Sequence, residues 1–114
     1  MRIADKLAAR QTYSLEIFPP KGEMPLEDAY EISGKMATTS PDWISVTYSA
    51  GGSGNNLNTA RIAASIENDF STTALAHLPC IGPAQADVDA YVDELVREGI
   101  QNVLALRGDR RPGV

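Results

Sequence analysis

Four places in this sequence carry side chains that can move protons or hold an anion: Glu16, Thr47-Tyr48, His77 and Arg107-Gly108-Asp109. Each closes, or nearly closes, a short apolar run. Glu16 stands between Leu15 and Ile17. Burial there would disfavour the carboxylate and raise its pKa, the tuning a general acid needs near neutral pH. The alternative is a structural glutamate paired with a buried Arg or Lys. His77 is the one histidine of the chain, so no two-His spacing for a metal exists. It reads as a ligand contact, a base, or a satisfied strand-end histidine. Thr47 is either a β-former or a site residue. Arg107 and Asp109 form either a surface ion pair, which is worth little, or a carboxylate and a guanidinium presented together beside Gly108, where the backbone can approach something closely.

The elements that must position these residues follow from periodicity. Ile3 to Arg10 reads as a short helix, with Ile3, Leu7 and Ala8 on one stripe. Tyr13 to Phe18 reads as a strand stopped by Pro19-Pro20. After Pro25, the residues Leu26, Ala29, Tyr30, Ser33 and Met36-Ala37 share a helical face. Trp43 to Tyr48 is a second strand, rich in β-branched and aromatic residues. Ile62, Ile66 and Phe70, with Ala63, mark a helix, and Thr73 to Leu78 a third strand ended by Pro79. Val88, Tyr91, Val92, Leu95 and Val96 give the cleanest helical spacing, closed by Gly99. Val103 to Leu106 is the fourth strand.

A helix followed by β-α-β-α-β-α-β implies a parallel sheet with right-handed crossovers. Two architectures compete: an open doubly wound sheet, and part of a (β/α)8 TIM barrel. A full barrel takes about 250 residues, and 114 residues with four strands supply half of one. In either architecture the C-terminal strand ends share one rim, where ligands bind. Glu16, Thr47-Tyr48, His77 and Arg107-Gly108-Asp109 are expected on that rim. Half a barrel would leave two edges and one face uncovered.

Bulk properties narrow the function. The composition is that of a globular chain, 43% hydrophobic and 22% charged, with a net charge of −5. That balance argues against nucleic acid, which favours a basic surface, and against anionic membranes. Arg107, Arg110 and Arg111 form the one local basic cluster, read either as a solvated loop or as an anion contact. The single cysteine, Cys80, excludes an internal disulfide. With no secretory signal, the expectation is a reducing cytoplasm, and no run approaches the ~20 apolar residues of a membrane span. Cys80 reads as a small buried thiol rather than a nucleophile. Gly51-Gly52-Ser53-Gly54, between a strand and a helix, suggests a phosphate cradle or a covering loop. It matches neither the dinucleotide fingerprint nor the P-loop.

Four stretches together resemble one family. Leu15-Glu16-Ile17-Phe18-Pro19-Pro20-Lys21 resembles the Phe-Glu-Phe-Phe-Pro-Pro-Lys/Arg opening of methylenetetrahydrofolate reductases. Ser45-Val46-Thr47-Tyr48-Ser49-Ala50-Gly51-Gly52-Ser53 resembles their Ser-Val-Thr-Tyr-Gly-Ala-Gly-Gly-Ser. Ala76-His77-Leu78-Pro79-Cys80 resembles Ala/Pro-His-Leu-Thr-Cys, and Leu104-Ala105-Leu106-Arg107-Gly108-Asp109 resembles Ala-Leu-Arg-Gly-Asp. Ser49, Pro79 and Arg110-Arg111-Pro112 depart from the family pattern.

The resemblance implies a flavoprotein (β/α)8 barrel with FAD. It passes hydride from NADH or NADPH to 5,10-methylenetetrahydrofolate, giving 5-methyltetrahydrofolate for one-carbon and methionine metabolism. Glu16 matches the family's general acid, which helps open the folate imidazolidine ring. Asp109 matches the residue that tunes the flavin and contacts the pterin. Thr47, Tyr48, Ala50, His77, Arg107 and Gly108 match flavin-contacting positions. The family runs well past this length, so residues 1–114 are expected to form one partial barrel domain, the N-terminal half, inactive by itself. The alternatives are a non-catalytic half-barrel that self-associates into a homo-oligomer, and an unrelated α/β phosphate binder built on Gly51–Gly54.

Overall fold

A computed structural model of the chain describes residues 2–19, 26–48, 56–79 and 85–106. Its elements are α1 (Ile3–Ala9), β1 (Ser14–Ile17), α2 (Leu26–Ala37), β2 (Trp43–Val46), α3 (Asn56–Asn68), β3 (Ala74–Pro79), α4 (Gln85–Arg97) and β4 (Asn102–Leu106). Every element expected from periodicity is present. The largest difference is at α3, which starts at Asn56, earlier than the apolar stripe shows.

The strands form one parallel sheet in the order β1-β2-β3-β4. That order separates the two competing architectures. A doubly wound sheet reverses direction at a switch point, whereas here each strand adds to the same edge, as in a barrel wall. The architecture is that of part of a (β/α)8 barrel.

Side chains of a strand alternate between faces, and the register decides which share one. Leu15 and Ile17 align with Ile44 and Val46, which align with Ala74 and Ala76. This face meets α2, α3 and α4 through Ala29, Ala60, Ile62, Ala63, Ile66, Tyr91 and Leu95, and it is the core. Each fully buried Ile or Leu there contributes roughly 1.5–3 kcal/mol. The alanines of β3 let α3 come close. Helix α4 ends in a left-handed Gly99 (φ 79°), as its position in sequence predicts. The Gly99 and Ile100 N–H groups donate to the Val96 and Leu95 carbonyls at 3.1 and 2.9 Å, the paired bonds of a Schellman cap.

Helix α1 buries none of its residues and is held by polar ties. The Ile3 N–H donates to Asn102 Oδ1 at 2.9 Å, Lys6 donates to the Asp42 carbonyl, and Arg10 pairs with the Asp42 carboxylate. Seven residues span about 10 Å, close to two strand spacings. α1 thus bridges the N-terminal ends of β2 and β4, opposite the expected rim. Asp42 is buried and also accepts the Tyr13 N–H at 3.0 Å. The Tyr13 N–H, then the Arg10 guanidinium and the Lys6 ammonium, hold its carboxyl below the usual aspartate range, against the opposing cost of burial.

A lowered folded-state pKa gives stability that is present above the unfolded value, about 3.9, and lost as pH falls through the folded one. Melting temperature against pH should therefore show an acid limb below about pH 4 in the wild-type chain. Asp42→Asn should melt lower at pH 7 and show a flatter acid limb. Parallel curves for the two proteins would contradict this role.

No helix among the described residues is long and apolar enough to cross a membrane.

Candidate functional site

The C-terminal strand ends bring Glu16 and His77 together. Glu16 aligns with Ser45 on β2, and Ser45 with Leu75 on β3. Alternation puts Glu16, Ser45, Leu75 and His77 on the face turned away from the helices. His77 Nε2 lies 3.9 Å from Glu16 Oε1.

The burial expected of Glu16 is not found. Its side chain is 49% exposed, because its apolar neighbours Leu15 and Ile17 point to the opposite face. Sequence adjacency to apolar residues buried the wrong side of the strand. No Arg or Lys pairs with it among the described residues; the ionisable group beside it is His77.

His77 is the more enclosed of the two, its side chain 14% exposed. Burial holds its imidazole below the ordinary histidine range, with the Glu16 carboxylate pulling the other way. At neutral pH the site therefore favours a neutral imidazole, able to donate one hydrogen bond and accept another. The sequence offers His77 no carboxylate neighbour; the sheet supplies one.

Thr47 follows β2, its N–H bonded to the Ile17 carbonyl at 3.1 Å. Thr59 of α3 donates to the Thr47 carbonyl at 3.0 Å, which pins this strand end to the helix layer. Tyr48 turns toward the helices, where its ring meets Tyr91 edge-on at 5.5 Å and 73°. Ala50, the Gly51–Gly54 loop, Cys80, Arg107, Gly108, Asp109, Arg110 and Arg111 lie outside the described residues.

Sequence reasoning missed Tyr91 as a support of the site. It appears there only as one position of an apolar stripe. In the fold it is 1% exposed, and its hydroxyl donates to the His77 carbonyl at 2.8 Å. Burial, with Tyr48 adding, pushes its phenol well above the usual tyrosine range. Thr59 was missed as well. The one signal for either is a polar atom set in an otherwise apolar helix face.

A separate cleft of about 330 Å³ lies between α2, α3 and α4, lined by Tyr30, Arg61, Ser65, Asp69 and Glu94 among others. It contains none of the strand-end residues.

The arrangement offers a carboxyl group beside a largely neutral imidazole, at the edge of a face that no described helix covers. Such a pair can hold a proton and pass it to a group lying at the strand ends.

Comparison with known proteins gives the same family as the motifs. The family model "Methylenetetrahydrofolate reductase" matches residues 2–114. The chain is 33% identical over 114 residues to "Methylenetetrahydrofolate reductase (NADH) 1" of Arabidopsis thaliana, covering 96% of this chain and 19% of that protein. It is 36% identical over 115 residues to "Methylenetetrahydrofolate reductase 1" of Schizosaccharomyces pombe, with the same coverage. It is 30% identical over 100 residues to "5,10-methylenetetrahydrofolate reductase" of Escherichia coli, covering 88% of this chain and 33% of that protein. The chain thus spans about a fifth of the length of its eukaryotic relatives and a third of the bacterial one.

Proposed function

The chain belongs to the methylenetetrahydrofolate reductase family, and from that premise we propose that it supplies the first four strands of a flavin-dependent reductase site acting on 5,10-methylenetetrahydrofolate. The domain is read as the N-terminal half of the barrel. The observation that carries this reading is the meeting of Glu16 and His77 at the strand ends, both on motif positions that resemble the family's. Glu16 is the general acid, delivering a proton to the ring nitrogen that leaves as the imidazolidine opens.

The donor set fits FAD. His77 and Thr47, both half-buried, offer neutral hydrogen-bonding groups beside an open sheet face, with Ala50, Arg107, Gly108 and Asp109 as further contacts of this proposal and Tyr48 contributing through its main chain, because its ring packs on Tyr91. Bound there, FAD would supply the hydride relay between NADH or NADPH and the folate. The plant relatives carry NADH in their names, which makes NADH the first reductant to try.

The test is FAD titration into the purified chain, followed by NADH oxidation with menadione as acceptor. A saturable quench of flavin fluorescence is expected, without turnover, because four strands give only part of a barrel's ligand contacts. No saturable quench would overturn flavin binding by these residues.

A second reading, a non-catalytic module that self-associates, draws on β4. Val103 and Leu104 point to opposite faces and are 42% and 45% exposed, so both faces of this edge strand are open. Two copies pairing there would cover them as a homo-oligomer. Solution mass decides: a dimer favours this reading, and a monomer at high concentration removes it.

A further inference from the structure

We propose that His77 is the positioning residue of Glu16, and that the two hold and exchange a proton as one pair. The catalytic consequence rests on the acid role proposed above for Glu16; the pair itself rests on geometry. β1 and β3 are not neighbours. Two strand spacings, about 10 Å, separate them, and β2 runs between. Contact across it needs long side chains from both sides and a short one in the middle. Ser45, the register partner of Glu16, is that short residue. A Leu or Ile there would fill the space in which the carboxylate and imidazole meet.

The two partners are held unequally. The Tyr91 hydroxyl fixes the His77 main chain at 2.8 Å, and the imidazole is mostly enclosed. Glu16 is half exposed on its strand. The imidazole is therefore the fixed member, and the carboxylate comes to it. Among the described residues the surroundings add no competing charge. Leu104 is the register partner of His77 on β4, Ser45 stands on β2, and α4 presents the Tyr91 phenol to the main chain rather than to the ring.

In this arrangement Glu16 gives its proton to the opening ring nitrogen. The carboxylate left behind faces a neutral His77 imidazole. One proton from solvent, arriving at the half-exposed Glu16 side, is then shared between the two groups and recharges the acid. Each transfer moves one proton, and the pair returns to its starting state.

His77 is the only histidine, so its imidazole signal can be titrated by NMR without assignment. The wild-type chain is compared with Glu16→Gln, Glu16→Ala and, as control, Glu31→Gln, an exposed carboxylate paired with Lys35. The His77 midpoint should move down in both Glu16 variants, because the attracting carboxylate is gone, and stay in place in the control. The drop should shrink as salt is added. An unchanged midpoint in the Glu16 variants overturns the pair. Having two substitutions guards against one that fails to fold. The measurement needs neither flavin nor turnover. A shifted midpoint with intact folate reduction in a Glu16-equivalent variant would strike the acid role alone, and an unshifted midpoint would strike the pair alone.

Discussion

In an intact homologous reductase, exchanging the glutamate matched to Glu16 for glutamine is expected to slow folate reduction by about 100- to 10,000-fold, the usual contribution of a general acid. Flavin reduction by NADH should keep its rate. The two half-reactions differ in what they ask of this position. Moving hydride from a nicotinamide to a flavin opens no carbon–nitrogen bond at the folate, so it needs no proton from Glu16. Opening the imidazolidine ring leaves charge on a nitrogen unless a proton arrives with it. Glutamine keeps the size and hydrogen-bonding reach of the side chain and removes only the transferable proton. Stopped-flow measurement of each half-reaction separates the cases. Equal losses in both would show that the residue shapes the pocket and does not act as the acid.

Tyr91→Ala is expected to destabilise the chain by about 3–5 kcal/mol, the range for removing a large buried aromatic. Against a total stability of roughly 5–15 kcal/mol for a domain, that is enough to leave much of the protein unfolded. The ring is fully buried in the core, it meets Tyr48 edge-on, and its hydroxyl satisfies the His77 carbonyl. Tyr91→Phe separates these contributions. It keeps the packing and removes one hydrogen bond, at a cost of about 1 kcal/mol. The phenylalanine variant should also differ in alkali. Burial raises the Tyr91 phenol above its unfolded value, so its stabilising contribution is complete below about pH 10 and fades as pH rises beyond it, when the unfolded chain ionises first. Urea melts at pH 8 and pH 11 should show a steeper alkaline loss in wild type than in Tyr91→Phe. Identical losses would mean that the phenol is not the group being titrated.

Together these expectations connect the core to the site. Tyr91 is read in the sequence as one of five apolar stripe positions on α4. Its place in the fold makes it the peg that holds the third strand end, and with it His77. The position of the imidazole thus depends on a helix that contributes no chemistry of its own.

The order and kind of the elements were legible in the sequence. Helical and strand periodicities are local, set by the turn of the backbone within a few residues, and Gly99, Pro79 and the aliphatic runs mark their ends plainly. That Glu16, Thr47 and His77 stand at strand ends on one side of the sheet was also legible, because parallel strands all point their C-terminal ends the same way. The family could be read from four short motifs, each at a strand end. The tertiary structure decided what is non-local. Strand order β1-β2-β3-β4 chose a barrel wall over a doubly wound sheet, through main-chain hydrogen bonds between segments far apart in sequence. The same register turned Glu16 away from the core that its neighbours Leu15 and Ile17 enter, so its apolar flanks proved to be the wrong guide to its burial. It set the carboxylate beside His77 across a strand whose middle residue, Ser45, is small. It also gathered Tyr13, Arg10 and Lys6 around Asp42, a residue with no local mark of importance. Local pattern fixes what each segment becomes, but which side chains meet depends on sheet register and packing, where a shift of one residue sends every side chain to the other face.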